Sequence, residues 1–350
     1  MPMQSEIEPI RLIQEMENRL LTLAQQVTEM REEVARWRAA MQPPMPWSVW
    51  FRHQLRVWLG LVPQLGRLQF SEPPRVLEVP KRYYRKPALA NPPLVSIVTP
   101  SYNQGPYLGN TLDSVLSQEY PRLQFVVQDG GSKDETVDVL AKYKDRLHHC
   151  EMRKDNGQSH AINLGFARTT GDIMAYLNSD DLLLPGSLHT VAKYFEDHPD
   201  VDVVYGHRVI IDQHGDELGR WVLPPHDTDA LKWADYIPQE TMFWRRRIWD
   251  KVGGIDESFR FAMDWDLILR FQDAGAKIKR LGRFLGAFRV HDSSKTVTTV
   301  NSTGIEEMAK LRRRAHGRDV TPIETRNAIK RYVWRHVLCN RLYRLGLLRY

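Results

Sequence analysis

From residue 94 onward, short apolar runs alternate with amphipathic segments of helical length, and this alternation leaves few folds open. Residues 94–99, 123–128, 147–152, 173–178 and 201–205 have the length and composition of buried strands. Residues 107–116, a segment starting at Ser132, residues 158–167 and residues 185–195 fit helices between them. Ser132 with Glu135 three positions on predicts a capping box, and Pro185 suits a first helical turn. Strand–helix alternation of this kind predicts a mostly parallel mixed sheet between helices. After Tyr205 the pattern loosens. His214-Gly215 predicts a hairpin, and helices are expected near Arg246 and Asp266.

Two flanks differ in character. Ile13, Met16, Leu20, Leu23, Val27, Met30, Val34, Trp37 and Met41 recur three and four residues apart. That seam predicts a coiled coil over residues 1–42, with β-branched Ile13, Val27 and Val34 at a positions favouring a parallel homodimer. Packing of one amphipathic helix on its own domain is the plainer alternative. Residues 43–93 follow as an amphipathic helix, rich in Trp and Arg, and an extended Pro-rich linker. The α/β domain is expected over 94–296. Residues 297–350 form a basic helical extension, with Ile329, Val333, Val337 and Leu342 as its apolar stripe.

Composition excludes several classes. Two cysteines, Cys150 and Cys339, cannot build a disulfide framework, which fits a reducing compartment. No apolar run reaches the roughly 18 residues a spanning helix needs. The N-terminus, with Glu6 and Glu8, does not resemble a signal peptide. The expected location is cytoplasmic. The net charge of +6 comes from the basic flanks, which suit peripheral contact with an anionic membrane on its inner face; no nucleic acid is expected as a partner. Packing of both flanks on the α/β domain would serve equally.

Carboxylates collect at the predicted strand ends, where open α/β sheets bind ligands. Asp129 precedes Gly130-Gly131, and a carboxylate there can accept the imide hydrogen of uracil or thymine; a simple turn is the alternative. Asn178-Ser179-Asp180-Asp181 places two acids side by side, which a Mg2+ or Mn2+ ion bridging phosphates would offset. Asp264 opens a helix and is either a base or a cap, while Asp266 is read as serving the helix dipole only. His291 lies beyond the last apolar run, within reach of a metal or diphosphate. His148-His149-Cys150 and His336 with Cys339 read as core or surface residues.

These residues, from Val95 to about Thr296, resemble family 2 glycosyltransferases, the inverting enzymes of GT-A fold. The matching stretches are Val98-Thr99-Pro100-Ser101-Tyr102-Asn103, Asp129-Gly130-Gly131-Ser132, Asp155-Asn156-Gly157-Gln158-Ser159 and Asn178-Ser179-Asp180-Asp181. Pro238-Gln239, Phe243-Trp244-Arg245-Arg246, Met263-Asp264-Trp265-Asp266-Leu267 and Arg289-Val290-His291 continue the series in order. The resemblance implies a UDP- or dTDP-sugar donor, a divalent metal, and a glycan, glycolipid or lipid-linked acceptor. It implies that Thr99, Pro100, Ser101, Tyr102, Asp129, Asp155, Gln158, Asn178 and Asp180 serve the nucleotide sugar. Asp181 would bind the metal with His291, Asp264 would be the general base, and Gln239 and Trp265 would border the acceptor. The chain departs from the family pattern at Asn178, the first DXD position, and at His160 and Leu164, where related bacterial sequences often carry Asp and Lys. Arg153-Lys154 is also unusually basic.

Two other functions compete for these residues. A sugar-nucleotide nucleotidyltransferase needs a Gly-rich basic phosphate loop after the first strand, where this chain has Tyr102-Asn103-Gln104-Gly105. A non-catalytic coiled-coil scaffold is at odds with the intact Asp129, Asp180, Asp181 and Asp264.

Overall fold

The computed structural model describes residues 69–291 and 303–350. The coiled-coil segment and the Trp-rich segment up to residue 68 lie outside the described residues. A ten-stranded sheet organises the rest. Its strands are β1 (Gln69–Arg75), β2 (Val95–Ser101), β3 (Leu123–Asp129), β4 (His149–Met152), β5 (Ile173–Tyr176), β6 (Leu182–Leu183), β7 (Val203–Ile211), β8 (Glu217–Trp221), β9 (Phe243–Arg245) and β10 (Ile278–Arg289). The order is β1-β8-β7-β9-β5-β2-β3-β4, with β10 against β7 and β6 against β10.

The strands β2 to β5 are parallel where they pair, as the alternation predicted. Beyond β5 the sheet turns mixed. β7 and β10 run parallel, but the pairings of β1, β6, β8 and β9 are antiparallel, so the sheet as a whole is not mostly parallel. The cause is a pair of features without helical crossovers: the β7–β8 hairpin, and β9, which returns between β5 and β7.

Side chains alternate across the sheet with period two. Val95, Ile97, Phe125, Val127, Ile173 and Ala175 enter one core, with helices α1 (Gly105–Leu116), α2 (Thr136–Tyr143) and α4 (Ser187–Asp197). Val98, Val126, Met174 and Tyr176 enter the other, with α3 (Gln158–Phe166), the short α5 (Thr228–Leu231), α6 (Arg246–Val252) and α7 (Met263–Asp273). Both faces of the central strands are therefore dry, which explains their continuous apolar runs.

Three local expectations change. Ser132 caps no helix, because α2 starts at Thr136 and Glu135 occupies its N-cap position. Residues 69–93 are no free linker. β1 extends the sheet edge, and Tyr83 is buried with its hydroxyl accepting the Phe284 N–H at 3.1 Å. The basic extension folds as α8 (Ile305–His316), α9 (Pro322–Ala328) and α10 (Lys330–Arg344). On α10, Val333 and Val337 are buried, together with Tyr332, His336 and Asn340.

Candidate functional site

The chain leaves β2 to one side through β3 and β4, and to the other through β5. That reversal makes the C-terminal ends of β2, β3 and β5 a topological switch point, the usual ligand crevice of such a sheet. A cavity of about 980 Å³ opens there, large for a small-molecule site. Pro100, Ser101, Tyr102, Asp155, Gln158 and Asn178 line it, all expected from the sequence. So do Asp180, Asp181, Gln239, Asp264 and Trp265.

Three expected residues, Thr99, Asp129 and His291, do not line it. Thr99 is fully buried and absent from the wall. Asp129 is fully buried too, and its carboxylate is engaged by its own turn. Oδ1 accepts the N–H groups of Gly131 at 3.0 Å and Ser132 at 2.8 Å, and Oδ2 accepts the Ser132 hydroxyl at 2.6 Å. This is the self-bonded turn that the Asp-Gly-Gly-Ser motif also allowed. The effect is to fix Gly131 at φ +87°, a backbone that glycine tolerates, so that Gly130 and Gly131 face the cavity beside Tyr102 and Asp155. Ser132 completes the brace by accepting the Asn103 N–H at 2.7 Å.

Next to this comes an amide chain. Gln158 Nε2 donates to Asn178 Oδ1 at 2.7 Å, Asn178 Nδ2 donates to Gln239 Oε1 at 3.4 Å, and Gln239 Nε2 donates to the Tyr176 carbonyl at 2.7 Å. It ties α3, the end of β5 and the turn at 239–241 together. Asn178, the departure from the family pattern, suits this role because an amide both donates and accepts.

The adjacent acids face differently. Asp181 is 1% exposed and its Oδ1 accepts the Arg289 N–H at 3.0 Å. Burial, then the neighbouring Asp180 and Glu240 carboxylates, push its carboxyl well above the usual carboxylate range. Asp180 is the one beside His291, with Oδ2 and Nε2 3.1 Å apart. The carboxylate that meets His291 is therefore Asp180, while Asp181 turns to the Arg289 N–H. Among the described residues no group of three or more His, Cys, Asp and Glu side chains gathers to hold a metal on protein ligands alone.

Asp264 sits in the first turn of α7, and its Oδ1 accepts the Trp265 N–H at 2.8 Å. The Trp265 ring is fully buried, its indole N–H donating to the Leu231 carbonyl at 2.9 Å, although the residue lies on the cavity wall. Asp266 does more than favour the helix dipole. It is buried between Arg270 at 2.8 Å and Arg314 at 2.5 Å, and so bonds α7 to α8. Glu307, also on α8, accepts the N–H groups of Arg260, Phe261 and Ala262, each at 2.8 Å. The segment entering Asp264 is therefore held by the extension.

Several wall residues escaped the sequence reading. Arg208 forms a two-pronged ion pair with Glu240, at 2.8 and 2.5 Å. Lys133 and Lys154 also line the cavity. Asp235 faces Asp264. Burial, then the Asp264 charge, raise its carboxyl well above the usual range. Of these only Lys154 stands out in the sequence, through the charge of Arg153-Lys154; Arg208 and Asp235 sit in a strand and a loop with no motif around them.

Residues 96–253 match the family described as Glycosyl transferase family 2. A PGL/p-HBAD biosynthesis glycosyltransferase of Mycobacterium bovis is 30% identical over 182 residues, which are 51% of this chain and 69% of that protein. The chain belongs to glycosyl transferase family 2. It is a glycosyltransferase, and the family's chemistry is glycosyl transfer from a nucleotide sugar. An uncharacterized glycosyltransferase of Rickettsia typhi is 29% identical over 231 residues, 63% of this chain and 70% of its own. Among solved structures, S. aureus TarS 1–349 in complex with UDP-GlcNAc superposes with a TM-score of 0.54 at 17% identity, over 69% of this chain and 72% of TarS. The mannosyltransferase PcManGT from Pyrobaculum calidifontis, in complex with GDP-Man and Mn2+, gives 0.51 at 19% identity, with 74% of each chain covered. At such identities the likeness is one of fold, and it is the GT-A fold expected from the sequence.

Proposed function

We propose that the chain is a metal-dependent, inverting glycosyltransferase that moves a sugar from a UDP- or dTDP-type donor to a hydroxyl acceptor, with Asp264 as general base. One observation carries the metal. The acids Asp155, Asp180, Asp181, Asp235, Glu240 and Asp264 surround one cavity. Glu240 and Arg208 neutralise one another, and burial raises the Asp181 and Asp235 carboxyls, which leaves Asp155, Asp180 and Asp264 opposed by Lys133 and Lys154. A nucleoside diphosphate adds further negative charge, so a cation has to accompany it. Asp180 with His291 fits that need as an oxygen–nitrogen donor pair, and diphosphate oxygens and water would fill the remaining positions. When bound, Mn2+ or Mg2+ supplies charge stabilisation for the departing diphosphate.

The chain's own groups do the rest. Tyr102 is 63% exposed at the cavity rim and offers a face for base stacking, with Gly130-Gly131 and Asp155 beneath it. The amide chain from Gln158 to Gln239 fixes the floor under the donor sugar. Asp264 takes the acceptor hydroxyl proton as that oxygen attacks the anomeric carbon. The bond to the diphosphate breaks on the opposite face, and its electron pair leaves with the nucleotide, inverting the configuration. A thermal-shift panel of UDP, dTDP, GDP and CDP with and without manganese tests the reading. Stabilisation by one diphosphate only with metal supports it; equal shifts with and without metal contradict it.

Dimerisation through residues 1–42 and contact with an anionic membrane belong to the same proposal. Among the described residues no helix is long and apolar enough to cross a membrane. Residues 325–350 contain seven Lys and Arg and no Asp or Glu. On α10, Trp334 and Leu338 are exposed among them, opposite the packed face. Each cation near an anionic surface contributes about 1 kcal/mol. Flotation with phosphatidylserine vesicles at low and high salt tests this, and protein that stays soluble at low salt refutes it.

A further inference from the structure

The cavity wall is not uniform in chemistry. Besides its carboxylates and amides it includes Trp221, Ile237, Phe261, Phe288 and Met308. Trp221, Phe261 and Met308 each pack one side on the core and are only partly buried, so the remaining surface faces the cavity. Phe261 lies three residues before Asp264. Its ring rests on Gly304, where an added Cβ would come within 2.9 Å of it. Glu307 holds the Phe261 backbone, and Met308 is the next residue along α8. Phe261 and Met308 are therefore tied to the segment that carries Asp264, the carboxylate that would deprotonate the acceptor.

Polar groups in this region are engaged within the protein. Gln239 is bonded at both ends of its amide. Arg208 and Glu240 bind one another, and the Arg208 guanidinium lies 5.3 Å from the Trp221 ring centre and 4.6 Å from that of Phe288. The Tyr236 hydroxyl serves Asp227 and His226. Apart from the Asp235 and Asp264 carboxyls, these residues offer little to a chain of sugar hydroxyls.

Building on the glycosyltransferase reading, we propose that the acceptor presents its hydroxyl beside an apolar group, and that this group packs against Phe261, Met308, Trp221 and Phe288. The substrate class is a glycoside or alcohol with an apolar aglycone, and a purely polysaccharide acceptor is disfavoured. An apolar group is drawn there by removal of the open wall from water.

The test is calorimetry on the full chain, with manganese and the best nucleotide of the diphosphate panel. The probes are methyl, phenyl and octyl β-glucosides, the last below its micellar concentration. The octyl and phenyl glucosides should bind at least about tenfold more tightly than the methyl glucoside, as burial of several carbon atoms requires. In Met308→Gln and Phe261→Ala that preference should fall to about threefold or less. Equal affinities in the wild type overturn the proposal, as does a preference that both variants retain. Nucleotide binding in the same titrations separates the two readings. Bound nucleotide with equal glucosides removes only the aglycone inference; a preserved octyl preference without any nucleotide binding removes only the donor reading.

Discussion

Glu307 holds the segment that leads into Asp264, the proposed base. One carboxylate on α8 accepts three consecutive N–H groups, from Arg260, Phe261 and Ala262, at 2.8 Å each. Those residues lead directly into Met263–Asp273, whose second residue is Asp264. Hydrogen bonds to a charged group contribute about 1.5–3 kcal/mol each when buried. Glu307 is only partly buried and water can replace it, so the net loss in Glu307→Ala is set nearer about 2 kcal/mol in total. If half to all of that loss falls on the alignment of Asp264, kcat drops about 5- to 30-fold. Glu307→Gln keeps one acceptor oxygen and should recover part of the rate. The donor end is built from β2, β3 and β5 and makes no use of Glu307, so nucleotide affinity should stay within about twofold. Steady-state kinetics paired with nucleotide calorimetry reads both quantities. Undiminished kcat in Glu307→Ala refutes the reasoning, and so does a loss of nucleotide affinity that matches the loss of rate.

Three further outcomes follow from particular contacts. Asp180→Asn and His291→Gln should each weaken manganese-dependent nucleotide binding by about 10- to 100-fold, as loss of one of two protein ligands would; manganese titration by calorimetry checks it, and unchanged metal dependence in both variants removes that site. Asp235 holds its proton more tightly in the folded protein than in the unfolded chain, because burial and then Asp264 disfavour its charge. Its contribution to stability is therefore greatest at low pH and is lost as pH rises from the unfolded carboxylate range near about 3.9 through the raised folded value. Asp235→Asn should raise the melting temperature at neutral pH and change it little at acid pH; a lower melting temperature at neutral pH contradicts this. A truncated chain starting at residue 69 should sediment as a monomer and the full chain as a dimer, and a monomeric full chain ends the coiled-coil proposal.

The sheet's parallel half was legible because its strands are buried on both faces. In β2, Ser96 and Thr99 are as fully buried as Val95, Ile97 and Val98, and a sheet covered by helices on both sides accepts such a strand. The antiparallel half was not, because β9 is three residues long and β6 only two, and their pairing is decided by distant β7 and β10. The site followed the same division. Motifs at strand ends located Asp180, Asp264 and Tyr102 in one cavity. Which of two adjacent acids meets His291 depends on the turn after β5, and residue spacing says nothing of that. At Asp129 a carboxylate before two glycines suits both a binding loop and a self-bonded turn, and the sequence does not show the Gly131 and Ser132 N–H groups that the carboxylate accepts in the fold. Arg208, Asp235 and Glu307 were invisible for a related reason, since each acts through a residue far away in the chain.

The proton-accepting role of Asp264 is the centre of this account, and one comparison bears on it most directly. Turnover of the donor identified by the nucleotide panel is measured for the wild type and Asp264→Asn, with nucleotide affinity determined on the same preparations. The amide keeps the shape and can still accept the Trp265 N–H, but it cannot take the acceptor proton. Nucleotide affinity should be retained while turnover falls by about 10²–10⁴-fold, the usual cost of losing a general base. A variant that keeps most of its activity would mean that Asp264 only caps its helix and that another group takes the proton.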